Sequence, residues 1–304
     1  MRRKIEVEKV IQLRGHKAAI YTLFAKDERH FLSGAGDGWV VEWDLDNPDP
    51  GRLIAKVDSN IFSLHYLADT AQLAVGNMNG GLHWVNLADI ENPHNIAHHR
   101  KGLFSMLELN GQLLTAGGSG LLSRWSIQTG RPLESYQLSN DSLRCLSYNA
   151  PRDEIAVGAS DNNIYFLDAR TLEIRQVLHQ AHDNSVFSLA YTADGSHLLS
   201  GGRDAHLKAW DLEHNYERVF SQPAHWFTIN HIAFQPSGQL FATASRDKSI
   251  KIWDASNFDL LKVIDRTKLD GHLNSVNRLL WMQDGELLLS TGDDRSVCIW
   301  KIHQ

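Results

Sequence analysis

Cysteine is nearly missing from this chain of 304 residues, which holds only Cys145 and Cys298. The two stand far apart in similar strand-like contexts, so they read as free thiols of a reducing compartment, not as a disulfide framework. No run of about 18 apolar residues is present, so no helix is expected to span a bilayer. A secretory signal is missing too, because basic Met1-Arg2-Arg3-Lys4 leads into Ile5-Glu6-Val7-Glu8-Lys9-Val10 and not into an apolar core. Positive charge is the scarcer sign: 30 Lys and Arg against 36 Asp and Glu leave a net charge of −6. That removes the general electrostatic pull toward nucleic acid or anionic lipid. Together these absences predict a cytoplasmic, membrane-free globular chain.

Tryptophan, by contrast, is plentiful and regular. Six of the nine fall at Trp43, Trp84, Trp125, Trp210, Trp253 and Trp300, and Leu167 takes the one missing beat. The seven marks lie 41, 41, 42, 43, 43 and 47 residues apart. Self-similarity at that period means one small unit repeated until stacked neighbours cover its apolar faces. The repeat runs nearly end to end, so residues 1–304 read as a single domain.

One unit is legible at 198–211, Leu-Leu-Ser-Gly-Gly-Arg-Asp-Ala-His-Leu-Lys-Ala-Trp-Asp. A short apolar strand enters a Gly/Asp turn, and an alternating strand then ends at Trp210-Asp211. Alternation puts Leu207 and Ala209 on one face, with Lys208 and Trp210 on the other. Gly and Asp suit the turn because they tolerate left-handed backbone or bond neighbouring amides. The phrase recurs around Trp43, Trp253 and Trp300. Upstream, His16, His182, His225 and His272 each lead into a further strand beginning three or four residues later.

The Gly-His, turn Asp and Trp-Asp phrases resemble the WD40-repeat family over essentially the whole chain, most closely in repeats one, five, six and seven. That resemblance implies an all-β fold, a seven-bladed β-propeller of four-stranded antiparallel blades. The chain ends just after the third strand of the last repeat, while a strand-like segment at 5–13 precedes the first His. Residues 5–13 are therefore expected to supply the outer strand of blade seven, closing the ring and removing an open edge.

The resemblance also assigns structural hydrogen-bonding tetrads: His16, Ser33, Asp37 and Trp43; His182, Ser200, Asp204 and Trp210; His225, Thr243, Asp247 and Trp253; His272, Ser290, Asp294 and Trp300. Four Ser/Thr-His-Asp sets invite a nucleophile reading, but catalysis needs one exposed hydroxyl beside a pocket and an oxyanion hole. Repetition argues for scaffolding. In the middle blades the pattern thins. Blade two has Met78 or Asn79 at the Asp place and Val57 near the His place. Blade three has His99, Thr115 and Trp125 with Ser119 for Asp, and blade four has Ser139, Val157, Asp161 and Leu167.

By the same resemblance, the start of each blade's first strand reaches the top face, a frequent partner contact. The position five beyond the His reads Tyr21, Phe62, Phe104, Arg144, Phe187, Asn230 and Asn277. Before the turn Asp the rim reads Gly36, Asn77, Gly118, Ser160, Arg203, Arg246 and Asp293. Trp226 follows His225 directly, and Trp39 stands two beyond Asp37. Aromatic and Arg side chains are those enriched at binding hot spots. The expected top face is an aromatic arc over blades one, two, three and five, with Arg144, Arg203 and Arg246 on the adjoining blades. That suits a peptide bearing an apolar anchor and an acidic group.

His94, His98, His99 and Arg100 lack a nearby Cys or carboxylate to complete a metal set, and Glu91-Asn92-Pro93-His94 reads as a loop. No metal and no cofactor is expected. The sequence shows no attached kinase, F-box or helical segment. The functional expectation is a monomeric, non-catalytic scaffold or adaptor that binds partner proteins or peptides within a multiprotein complex. Two alternatives are an RNA-binding subunit of a modifying complex, which the net charge disfavours, and an enzyme supported by the propeller, for which no carboxylate set converges. The weaker tetrads predict that blades two to four open more readily than five to seven. Amide hydrogen exchange checks this, and equal or greater protection in blades two to four contradicts it.

Overall fold

A computed structural model describes residues 3–304; Met1 and Arg2 of the basic N-terminal segment lie outside the described residues. Twenty-eight strands form seven four-stranded antiparallel sheets. The first strands of blades one to seven are Ile20–Ala25, Ile61–Leu67, Leu103–Leu109, Leu143–Asn149, Val186–Tyr191, Ile229–Phe234 and Val276–Met282. Each pairs with the next strand of its own blade.

The closing strand is the N-terminal one. Glu6–Arg14 pairs antiparallel with Ser296–His303, from Glu6 opposite His303 to Arg14 opposite Ser296. Its alternation buries Ile5 and Val7 beside Trp300 and Ile302, and Leu13 beside Val297 and Ile299. Polar groups add to the clasp: Lys9 Nζ donates to the Asp270 carbonyl at 2.7 Å, and Gln12 Nε2 donates to Ser296 Oγ at 2.9 Å. Asp270 ends a short α-helix, Arg266–Leu269, which the Asp265 carboxylate caps at Thr267 N and Lys268 N. That helix occupies the longest interval of the repeat.

The core is divided among the seams between sheets. Seven clusters of buried side chains are found, and each joins two neighbouring blades. Leu199, Leu207 and Ala209 of blade five meet Ile229, Ile232 and Trp253 of blade six, for example. Burying a Leu, Ile or Val side chain contributes roughly 1.5–3 kcal/mol, so a blade draws its stability from both neighbours.

Trp84 departs from its expected place. Val85 stands opposite Leu73 as Trp43 stands opposite Phe31, so the true mark of blade two is Val85. Successive side chains of a strand point to opposite faces, and a one-residue offset therefore turns Trp84 around. Trp43 packs toward blade seven, whereas Trp84 packs toward blade three with Trp125 and Leu113. The segment 91–94 is also not a loop: it lies within the outer strand Asp89–Ala97. Pro93 is tolerated there because an outer strand leaves one row of amides unpaired.

Turn chemistry follows the expected rule. Gly38 has φ +74, and a Cβ added to it would meet the Val57 carbonyl oxygen at 2.1 Å. Removing residues 1–14 should expose the edge of Ser296–His303 and uncover two seams. The expected result is a broadened melt with Tm lowered by about 10 °C or more; an unchanged cooperative melt in calorimetry contradicts the closure.

Candidate partner-binding face

The four complete tetrads are formed as expected. Trp210 Nε1 donates to Ser200 Oγ at 2.8 Å, Ser200 Oγ lies 2.7 Å from His182 Nε2, and His182 Nδ1 lies 3.0 Å from Asp204. The same chain runs from Trp43 through Ser33 and His16 to Asp37, from Trp253 through Thr243 and His225 to Asp247, and from Trp300 through Ser290 and His272 to Asp294. The four hydroxyl residues are 0% exposed. Each hydroxyl accepts from an indole and shares a second hydrogen bond with an imidazole, so none of these four is a free nucleophile. Burial holds His16, His182 and His225 below the ordinary histidine pKa against the pull of their carboxylates. His272 goes the other way, because Asp294 and the Cys298 sulfur outweigh its burial.

The middle blades replace the tetrad differently. In blade two, buried Asn77 accepts from the amides of Asn79 and Gly81 and donates through Nδ2 to His83 Nε2 at 2.8 Å. His83 Nδ1 therefore carries the proton and donates to Asn95 Oδ1 at 2.6 Å. Blade four joins Ser139 and Tyr165 to Asp161. Blade three keeps Trp125, Thr115 and His99, but His99 Nδ1 is buried without a partner. Among the described residues no group of three or more His, Cys, Asp or Glu could hold a metal. His98 is engaged with Ser123 and stacks edge-on against Trp125.

All seven first strands carry a β-bulge at one shared position. The registers break between Ile20 and Thr22, Ile61 and Ser63, Leu103 and Ser105, Leu143 and Cys145, Val186 and Ser188, Ile229 and His231, and Val276 and Arg278. The skipped residues are Tyr21, Phe62, Phe104, Arg144, Phe187, Asn230 and Asn277, the seven predicted contact positions. A bulge re-aims a side chain, and here six of the seven reach the next blade, while Phe187 meets Arg144 of the blade before it.

These side chains meet in a nearly closed ring. Tyr21 packs edge-on against Phe62 at 5.1 Å, and Phe62 against Phe104 at 5.5 Å. Arg144 lies over Phe104 at 4.4 Å and over Phe187 at 5.2 Å, with its Nε donating to Ser160 Oγ. Asn230 Nδ2 donates to the Val276 carbonyl, and Asn277 Nδ2 to the Ile20 carbonyl and Asp293. The ring residues are all half-buried. Arg144, Asn230 and Asn277 thus spend their polar groups on the mouth itself.

The freer groups stand outside that ring. Arg203 and Arg246 are exposed and, among the described residues, make no side-chain hydrogen bond or ion pair. Trp226 is 87% exposed, Phe227 58% and Leu273 47%. The amide of Trp226 donates to Asp247, and that of Arg246 to the Thr228 carbonyl, so rings and guanidinium share one surface. Phe227 and Leu273 escape a reading based on the two rim rows, because both sit in the loop just after the His. Blade two's rim position is Met78, 51% exposed, whose amide donates to Asn60 as Gly36 donates to Ala19; Asn77 is interior. Trp39 is half-buried beneath Lys17, whose Nζ lies 4.7 Å from the ring centroid.

Comparison with known proteins agrees with this geometry. Residues 96–302, more than half of the chain, match the family model described as nucleolar protein 10-like, N-terminal domain. Residues 7–44 match the WD domain, G-beta repeat model. Among solved structures, the WD40 β-propeller domain of Doa1 is similar, with a TM-score of 0.85 at 19% identity over 97% of each chain. At that identity the likeness carries the fold alone.

Burial, with His98 beside it, pulls the His99 pKa down to about 4. The folded value lies below the unfolded one, so the neutral ring stabilises the fold above about pH 6.5, and this is lost as pH falls toward 4. Ser119→Asp places a carboxylate at the turn position that serves His Nδ1 in four other blades. It should raise the His99 pKa and stabilise by about 1–2 kcal/mol at pH 7. Thermal melts and an NMR titration of the imidazole check both effects, and an unchanged pKa contradicts the assignment.

Proposed function

The chain belongs to the WD40-repeat β-propellers of the nucleolar protein 10-like domain family, and from that premise we propose that it is a non-catalytic scaffold. It binds a partner protein or peptide across the top of blades five to seven. One observation carries this reading: exposed Trp226 and Phe227 stand beside the turn that carries unpaired Arg246, and exposed Leu273 and Arg203 hold the corresponding loop and rim positions of the flanking blades. Exposed apolar patches on globular proteins mark interaction sites. A ring beside a guanidinium suits a segment with an apolar anchor and an acidic neighbour, since Arg takes a carboxylate in a two-pronged grip. The buried tetrad hydroxyls support the non-catalytic part. The propeller acts as a monomer in this reading, inside a larger complex.

A second reading has support from the same corner. Exposed aromatics beside arginines also stack and hold single-stranded RNA, and the matched domain family carries a nucleolar name. The net charge of −6 weighs against it. The cytoplasm is our proposed location, and imaging of the tagged chain separates it from the nucleolus.

Affinity capture with mass spectrometry should compare the wild type with a Trp226→Ser, Arg246→Ala double variant. Both positions are exposed, so the variant should melt like the wild type. Loss of specific partners at least tenfold supports the top-face reading, and equal recovery overturns it. A salt-dependent RNA gel shift abolished by the same variant would favour the second reading.

A further inference from the structure

Directly below the mouth ring, the residue after each bulge forms a second level: Thr22, Ser63, Ser105, Cys145, Ser188, His231 and Arg278. Several of these stitch one blade to the next. Ser63 Oγ donates to the Leu103 carbonyl, Ser188 Oγ accepts from Ile232 N, and His231 Nδ1 accepts from Leu279 N. Arg278 does not join in. Among the described residues its guanidinium has no hydrogen bond, ion pair or ring contact.

Arg278 stands on blade seven next to Leu279, whose amide donates to His231 Nδ1 of blade six at 3.3 Å, and it is near enough to Cys145 on blade four for their charges to interact. A group within reach of both a neighbouring strand and one nearly opposite sits close to the channel axis. Burial pulls its pKa down to about 10, still a full positive charge at neutral pH. Above it, Arg144 bridges Phe104 and Phe187, and Arg203 stands near enough to feel Arg144. Across the two levels, fourteen positions supply two arginines and one histidine but no carboxylate. The nearest acid at the rim, Asp293, is held by Asn277 Nδ2 at 2.8 Å. Lower down, Glu108 is paired with His65 at 2.9 Å.

A guanidinium withdrawn from bulk water without a counter-charge is unfavourable, and its planar fork fits an oxyanion. We infer that the upper channel is an oxyanion site, in which Arg278 on the floor takes the carboxylate or phosphoryl group of a side chain inserted through the mouth. The half-buried rings select a narrow side chain, and its stem packs against Phe62 and Phe104. The site rests on the top-face reading only for the source of the anion. Simple anions test it without any partner.

The full chain should be melted in chloride, acetate and phosphate at equal ionic strength, as wild type, Arg278→Met and Arg278→Lys. For the wild type, acetate or phosphate should raise Tm by several degrees and saturate, as for a ligand bound only by the folded state. A larger effect of acetate assigns the site to a carboxylate, and a larger effect of phosphate to a phosphoryl group. Arg278→Met should lose the saturable response while melting in chloride at or above the wild-type temperature, because an uncompensated charge has gone. Equal anion responses in wild type and Arg278→Met overturn the proposal. Should the Met variant be destabilised in every buffer or fail to fold, the wild-type Arg278 Nε–H resonance decides: a saturable shift with phosphate or acetate supports the site, and none refutes it. Equal partner recovery by the Trp226→Ser, Arg246→Ala variant, with anion binding intact, would fault the top-face reading alone.

Discussion

Every sheet in this protein shares its apolar faces with two neighbours, and that sharing is the constraint from which the architecture follows. A lone four-stranded blade leaves both faces wet. A row of seven would still leave two faces wet, one at each end. Only a ring satisfies them all, and the ring is joined by the register of Glu6–Arg14 on Ser296–His303. Seven clusters for seven seams is the direct expression of this economy. It also explains why incomplete tetrads are tolerated. Blade two lacks the Trp, Ser, His and Asp of the pattern, yet Val85 and Val75 fill its seam with blade one as well as larger side chains do elsewhere.

The sequence carried the architecture because both of its signals are periodic. Apolar alternation and the recurring Trp repeat in every unit, so errors in one are outvoted by the others. The same redundancy hid the offset at Trp84. A tryptophan one residue early satisfies the roughly 40-residue spacing almost as well, but the side-chain period of two turns it to the opposite seam, where its indole nitrogen finds no partner. Pro93 misled for a related reason: proline signals a loop only where the ladder needs its missing amide, and an outer strand does not. The His83–Asn77–Asn95 network had no signature at all, since nothing in spacing marks an interior histidine whose two partners lie on the strands either side of it.

The contact face was half legible. Counting five residues from each His, or from Val57 and Ser139 in its place in blades two and four, lands on the seven bulge positions, because the bulge is a backbone feature repeated in every blade. What those residues do with their polar groups was beyond the count. Arg144 reads as a free grip until Phe104, Phe187 and Ser160 are seen around it, and Asn230 and Asn277 read as contacts until their amides are found on the next blade's carbonyls. Phe227 and Leu273 were invisible for the opposite reason. They occupy a loop whose composition varies from blade to blade, and only their exposure distinguishes them.

The tetrads and the contact face, apparently separate, are mechanically joined. The aspartate that orients each histidine also accepts the backbone amide of the residue just after it: Lys17 at 2.7 Å, Asp183 at 3.1 Å, Trp226 at 3.1 Å and Leu273 at 2.9 Å. A charge-assisted bond of that kind is among the stronger polar contacts available to a loop, and it fixes the backbone from which the exposed side chain projects. Blades two and three have no carboxylate at this place. Trp226, the most exposed large apolar side chain among the described residues, and the exposed Leu273 therefore stand on loops whose backbones are anchored in this way. Holding a tryptophan at 87% exposure in one position lowers the ordering cost of binding. A pattern that looks purely structural thus pre-organises the surface proposed to meet a partner.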